Sequence, residues 1–556
     1  MKKYSIILLL FLFQINFFAQ VGFVEYDNSV YRFLKRMNSL QLITNYNEFH
    51  LPKTRSDVAE KLIEVSVNSK SLNETDKLLL KEYLKEFQFD VNREINQSKQ
   101  FLPDFDFNYI FSEKEKYLYS YNDTNDVNFF VNFIGSIETI ANNDRILNST
   151  SNTSLVNYGG QIRGSFKDWF GFSIKATNGT FFGDKNLALT KSNLKFNYKF
   201  NLPESSAGSN YFDETEAYAT ADFDFINLKI GRDRNTIGYN SVNSVISDFA
   251  PQSDYIGLSL NYKSFSFDYL HGKLFGNYSQ TWDSTEGSRN IVDDKFFAYH
   301  RIGLNLSKHF NFGIGEIVVY SDRNIDFSYL NPFNFYKSVE HANQDRDNSM
   351  LFFDFKNNSI DNLTLYASVL LDDIDFGKIG TAWFGNQAII DLGIYSNNFY
   401  KYIPITLELQ YLRIDPYVYT HRIFNNNFTS LNASLGPDLQ PNSDMIHFSA
   451  EYIPHYKLFL KTGFRFMRHG ANELNNDGSV KVNHGGDVLV GYRTFDNPDA
   501  RLLEGILELS RNIYFIAEYE IVNNYLARFR IDFTSESKQN SSVKNLFGSF
   551  SIIFKI

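Results

Sequence analysis

From Val127 to Ile556 apolar and polar residues alternate. In Ile403 to Leu412 (IPITLELQYL), Ile403, Ile405, Leu407, Leu409 and Tyr411 fall on one side, with Thr406, Glu408 and Gln410 on the other. A period of two with one apolar face is a strand. Many such segments of about ten residues, with no continuous apolar run, predict a closed barrel with lipid outside and a polar lumen. Candidate strands start near Val127, Ser154, Asp168, Glu216, Phe225, Asp254, Ser264, Phe296, Asn311, Ser349, Asn362, Gly385, Ile403, Asp444, Lys457, Gly486, Leu502, Ile513, Tyr525 and Asn545. That is roughly twenty, and about 18 fits the pattern equally well. Short connections, such as Phe166–Lys167, Phe223–Asp224, Lys263 and His455–Tyr456, alternate with long ones. The long ones are Asn178–Thr215, Asp233–Ser253, Lys273–Lys295, Ser321–Asn348, Asp415–Ser443 and Arg468–Gly485. Short turns at one end and long loops at the other mark a transmembrane barrel. The last strand, LFGSFSIIFKI, puts Leu546, Phe550, Ile552, Phe554 and Ile556 on one face, as in the apolar closing strand of outer-membrane barrels.

Before Val127 the spacing is helical. Val30, Phe33, Leu34, Met37 and Leu40 form one stripe. Ser56 can cap a second helix with Val58, Leu62 and Ile63 on its apolar side. Thr75 or Asp76 can cap a third carrying Leu78, Leu79, Tyr83, Leu84 and Phe87. Ahead of these, Lys2 and Lys3 precede an apolar stretch from Ile6 to Phe13, and a cut after Ala19 makes 1–19 a secretory signal. The expected fold is therefore all-β: an outer-membrane barrel of about 18 antiparallel strands at 127–556, exported by the signal. A small helical segment at 20–126 is expected in the periplasm as a plug or foot.

Composition sharpens this in four places. Aromatics are 17% of the chain, with Phe 56 and Tyr 35 against Trp 3, which suits aromatic girdles at the two membrane interfaces. Mean hydropathy is −0.32, too polar for a helical membrane protein, but alternation dilutes hydropathy in a barrel. The net charge is −10 and no Lys/Arg-rich run occurs, which argues against nucleic acid as a partner. Cys is 0, so disulfides, thiol catalysis and a lipidated cysteine are excluded.

Catalytic constellations are not evident. Asn483-His484-Gly485-Gly486 resembles a fragment of an oxyanion-hole motif, but no Gly-x-Ser-x-Gly accompanies it, and His484 reads as a loop histidine. Asp372, Asp373 and Asp375, with Asp391 further on, can bind Ca²⁺, yet no loop of calcium-site spacing follows and a solvated acidic loop is expected. No enzyme activity, metal or cofactor is expected. Three stretches remain as ligand-binding candidates. Arg232, Asp233 and Arg234 crowd charge where apolar Ile226, Leu228 and Ile230 stop, as an interior ion-pair network or a basic site. Asn331-Pro332-Phe333, with Phe335 and Tyr336, is expected to fold back and close the lumen. Arg413, Asp415, Tyr417, Tyr419 and His421 open a long loop as an aromatic sugar platform or an interface girdle.

Together these motifs resemble the Wzi capsule-assembly family of outer-membrane barrels, and within it the Bacteroidetes branch that includes the gliding-motility protein RemB. The likeness runs from SDVAEKLIEV and LNETDKLLLKEYLKEF through GRDRNTIGYN, YLNPFNFY and LRIDPYVYTH to Leu435-Gly436-Pro437 and Pro441 to Asp444. Family members often carry Trp-Gly after the second Arg, where this chain has Thr236-Ile237-Gly238. The resemblance implies an 18-stranded barrel with a periplasmic helical bundle. It also implies a lectin-like role with surface polysaccharide as partner, or a gliding and adhesion role through outer-membrane or gliding-machinery proteins. A porin-type channel is the remaining alternative, and Phe459 and Met467 argue against it if they point inward.

Overall fold

The computed structural model describes residues 21–103, 106–123, 127–144, 149–167, 169–197, 200, 210–285, 287–397, 404–539 and 541–556. The signal segment 1–19 and Ile403 lie outside these. Eighteen strands close into one antiparallel barrel. In chain order they are β1 (Val127–Asp144), β2 (Ser149–Phe166), β3 (Phe170–Gly183), β4 (Tyr211–Asp222), β5 (Ile226–Asp233), β6 (Ser253–Tyr262), β7 (Phe265–Asp283), β8 (Gly287–Ser307) and β9 (Phe310–Ser321). They continue with β10 (Asn348–Ile360), β11 (Leu363–Asp373), β12 (Gln387–Asn397), β13 (Ile405–Ile414), β14 (Ser443–His455), β15 (Leu458–Ala471), β16 (Ile506–Val522), β17 (Tyr525–Lys538) and β18 (Ser541–Lys555). β18 closes on β1 from Asn545↔Asp144 to Lys555↔Ile134, so no edge is left.

Alternation decides which side faces lipid. On β13, Leu409 is exposed while Thr406, Glu408 and Gln410 are buried. Above Gln410 the rule reverses: Leu412 and Ile414 point inward into an apolar cluster. Phe459 and Met467 also face inward, against Arg32 and that cluster. The short turns place Lys167, Asp224, Lys263, Asn362 and Asn524 at positive φ, the left-handed conformation that tight hairpins use.

Three sequence expectations are corrected. Gly486 and Leu502 do not start strands: both lie in the long loop 472–505, and Ile513 is inside β16. Lys273–Lys295 is no loop, because β7 and β8 remain paired out to Asp283 and Gly287. The caps of the second and third helices are Thr54 and Asn73 rather than Ser56 and Thr75 or Asp76.

The helical unit comprises α1 (Ser29–Ser39), α2 (Arg55–Val67), α3 (Glu74–Glu86) and α4 (Gln88–Asn92). Val30, Phe33, Leu34, Met37, Val58, Leu62, Leu80 and Phe87 form its core, while Ile63 and Leu78 turn out to be exposed. It is seated in the barrel's short-turn end. Asn362 N–H donates to Ser39 O at 3.1 Å, and Lys116 Nζ donates to Asn523 O at 2.7 Å. The segment after α1 climbs into the lumen. There Glu48 accepts from Lys356 Nζ and from Tyr366 OH, and His50–Leu51 pairs with Thr236–Ile237 of a loop descending from the opposite end. Plug and loop meet mid-barrel.

Candidate functional site

What fills the lumen determines which surfaces a ligand can reach. Its middle is an apolar cluster: Phe49 of the plug, Ile237, Tyr239 and Val245 of one loop, Tyr419 and Phe428 of another, and Tyr299 and Phe352 of the wall. Phe49 packs edge-on to Tyr239 at 4.8 Å, and Tyr419 stacks on Phe428 at 5.0 Å. Beneath it, inward-facing Arg301 and Asp354 pair at 2.7 Å, and Tyr239 OH donates to the same carboxylate at 2.7 Å.

To one side a polar chamber of about 640 Å³ remains. Residues 23–27 line it, lying flat on the wall where a Cβ on Gly171 would meet Val21 O at 1.6 Å. Lys175 reaches Glu216 at 3.3 Å and Glu25 at 3.8 Å, and Gln161 Nε2 donates to Glu25 at 3.1 Å. The Lys175 ammonium holds the Glu25 carboxyl down to about 2, against the opposing pull of burial. Burial, then the Glu25 charge, pushes Asp27 up. Lys191, Asp248 and Gln252 from the long loops complete the lining. A second polar cavity, about 390 Å³, opens at the long-loop mouth beside His469, Glu508, Lys538, Asp438 and Gln440. Both suit hydroxyl-rich or mixed-charge ligands. Of the sequence candidates Asp233 and Arg234 line the larger chamber; its other charged residues were not among them, though Lys175 and Glu216 occupy the polar register of their strands.

The sequence candidates do not converge on one site. Alternation sends the Arg-Asp-Arg run two ways. Arg232 lies on the outer wall, bidentate to Asp254 at 2.7 and 2.6 Å. Asp233 faces inward, bonded by Lys229 Nζ and Tyr255 OH. Arg234 donates to the Asp248 and Ala250 carbonyls and ties down its loop. The interior ion-pair expectation thus describes Asp233 alone. Asn331 is exposed, its Oδ1 accepting from Phe333 N–H in a local turn. Its loop folds outward over the barrel wall, which corrects the expectation that it closes the lumen.

Arg413 is on the outer wall, donating to Asp415 at 2.7 Å. Burial raises Asp415 and lowers His421, whose ring meets Ile423 O at 3.4 Å. Tyr417 and Tyr419 are 1% and 0% exposed, so neither offers the open ring face that a sugar platform requires. Tyr417 OH donates to Asn483 O and Tyr419 OH to Ser244 O, both at 3.0 Å. Both take positive φ, 64° and 71°, and their rings hold the loop's core together. Asp372 accepts from Tyr419 N–H and Asp391 points into the lumen, which corrects the solvated acidic loop for these two, while Asp373 stays exposed and Asp375 half-buried. Among the described residues, no group of three or more His, Asp or Glu side chains is placed to hold a metal. His484 is a loop residue, 3.6 Å from Glu473.

No family model matches the sequence, and no curated protein matches it. Solved structures do. Wzi, an outer membrane protein involved in group 1 capsule assembly in Escherichia coli and described as a carbohydrate-binding β-barrel, aligns over 96% of this chain and 99% of its own. The TM-score is 0.57 at 11% identity. OccAB2 of Acinetobacter baumannii covers 77% of this chain and 98% of its own, with TM-score 0.45 and 11% identity. A BenF-like porin of Pseudomonas fluorescens covers 77% and 99%, with TM-score 0.44 and 9% identity. What this chain shares with Wzi at such identity is the fold, a closed antiparallel barrel of the outer-membrane type.

Proposed function

We propose that this protein is a non-enzymatic outer-membrane barrel that binds or anchors surface polysaccharide. Its signal segment is removed on export, and the short-turn end with its helical plug faces the periplasm, as short turns do in such barrels. The observation that carries the reading is the filled lumen. Plug, three long loops and wall share one apolar cluster that fills the middle of the lumen, while polar cavities stay open beside it and at the long-loop mouth. The likeness to a carbohydrate-binding barrel over nearly the whole chain supports the same reading.

The test is a clean deletion scored for polysaccharide retained on the cell and for colony spreading, alongside binding of isolated polysaccharide to the purified barrel. Anchoring predicts polysaccharide shed into the medium and direct binding. Retained polysaccharide with lost spreading would overturn it in favour of a gliding or adhesion role through protein partners.

A further inference from the structure

The loop 322–347, between β9 and β10, lies on the outside of the barrel. Two short helices, Phe327–Leu330 and Tyr336–Ala342, cover outward residues of β7, β8 and β9. The direction follows from register. His300 and Glu316 are cross-strand partners and alternate with Tyr299, Arg301 and Ile317, which point into the lumen. His300 and Glu316 therefore stand on the lipid side, one step along from Ile302 and Ile314 of the apolar belt. A bare His–Glu pair there would face hydrocarbon, where unsatisfied polar groups are costly.

The loop satisfies both. His300 Nδ1 donates to Pro332 O at 2.9 Å, and Nε2 lies 3.1 Å from Glu316. The backbone N–H groups of Tyr336 and Lys337 donate to the same carboxylate at 2.8 and 3.1 Å. Tyr269 OH donates to Leu330 O at 3.0 Å. The His300–Glu316 pair and Tyr269 are thus answered from the loop's inner side.

Around 327–335 its outer side turns aromatic, whereas the exposed polar residues His341, Asp345 and Arg346 lie further along. Phe327, Phe333 and Phe335 are 83%, 77% and 55% exposed. Phe333 stacks on Phe267 at 5.2 Å and 17°, and Phe267 is the cross-strand partner of Ile302 in the belt. The loop's aromatic face is continuous with the lipid-facing wall. Between them runs an apolar groove of about 440 Å³, floored by Ala219 and Ala221, sided by Leu228, Ile230 and Ile256, and bounded by Pro332. Small side chains in the floor of the wall leave the dent.

We propose that the 327–335 part of this loop is a membrane-embedded apron: its exposed phenylalanines sit among outer-leaflet lipid, and the groove beside Pro332 holds one lipid acyl chain. A loop that shields a polar patch and turns phenylalanines outward matches a hydrocarbon boundary and is mismatched to water. The proposal is independent of what the long-loop mouth binds.

The experiment uses the full chain in phosphatidylcholine vesicles, with its three native tryptophans changed to phenylalanine and Phe333→Trp added. Lipid with brominated chains should remove most of the emission, and acrylamide little of it. The reverse pattern would place the loop in water and overturn the apron. For the groove, phosphatidylcholine spin-labelled on its chain should show an immobilised component that Ala219→Leu with Ala221→Leu removes. Both changes face lipid, and heat-dependent gel migration confirms the folded barrel. An unchanged component would overturn the acyl-chain site.

Discussion

Arg301 and Asp354 carry the sharpest residue-scale consequence. Their side chains are 2% and 0% exposed, and the guanidinium lies over Gly313, where a Cβ would meet Asp354 Oδ2 at 2.1 Å. Deleting one partner leaves a buried charge without its counter-ion, at a cost of about 3–5 kcal/mol. Asp354→Ala should lose that much in urea unfolding from lipid vesicles, and Arg301→Met with Asp354→Leu should recover much of it. Equal loss in the single and double variants would show that the pair is not coupled. The sequence marked neither residue, because each is one polar position among many in alternating strands and only the closed barrel brings them together. Arg232, Asp233 and Arg234 fail the other way. They are adjacent in sequence, but adjacent strand positions face opposite sides, so one ended outside, one in the lumen and one on a loop. Tyr417 and Tyr419 looked like a platform because residue type does not reveal burial, and positive φ turns both rings into the loop core.

The elements themselves were more legible. Period two identifies the wall strands because lipid and lumen impose opposite chemistries on the two faces. Gly486 and Leu502 misled because a long loop that packs on itself also carries alternating apolar residues. The helical unit was visible as a stripe, but its seat was not, since the lumen contacts of Glu48, Phe49 and His50 come from irregular chain between α1 and α2. That seat has a pH dependence. Burial, reinforced by the Glu86 charge, pushes the Glu115 carboxyl from its ordinary 4.5 to about 6. Between those values the seated unit keeps a proton that the unfolded chain has released. Its stability therefore falls as pH rises through that window, by about 2 kcal/mol once the window is passed. Glu115→Gln should remove that part of the slope, read as protease cutting of residues 93–118 across pH 4.5–7 in wild type and variant. The same slope in both would assign the dependence elsewhere.

At the scale of the whole molecule, the barrel is closed twice. The helical plug fills the short-turn end through Ser39, Lys116 and Glu48, and the loops at 234–252 and 415–442 fill the middle through Ile237, Val245, Tyr419 and Phe428. These blocks meet where His50–Leu51 pairs with Thr236–Ile237, but most of the loop contacts are with each other and with the wall. Of that cluster only Phe49 comes from the plug segment, so most of its apolar burial is independent of the helices below it. Removing 29–92 alone should therefore leave the middle shut. Shortening 234–252 to a flexible link alone should leave the plug in its mouth. Only removal of 29–92 combined with shortening of both 234–252 and 415–442 should open a water-filled path, because an 18-stranded wall freed of that filling has an interior wide enough for a channel. In planar bilayers the full chain and each single deletion should carry no large steady current, and the combined variant should conduct. Large steady current through the unmodified chain would mean that the loops do not hold the lumen shut in a membrane. Closure of the combined variant would mean that the wall collapses inward without its filling, and that plug and loops shape the barrel as well as seal it.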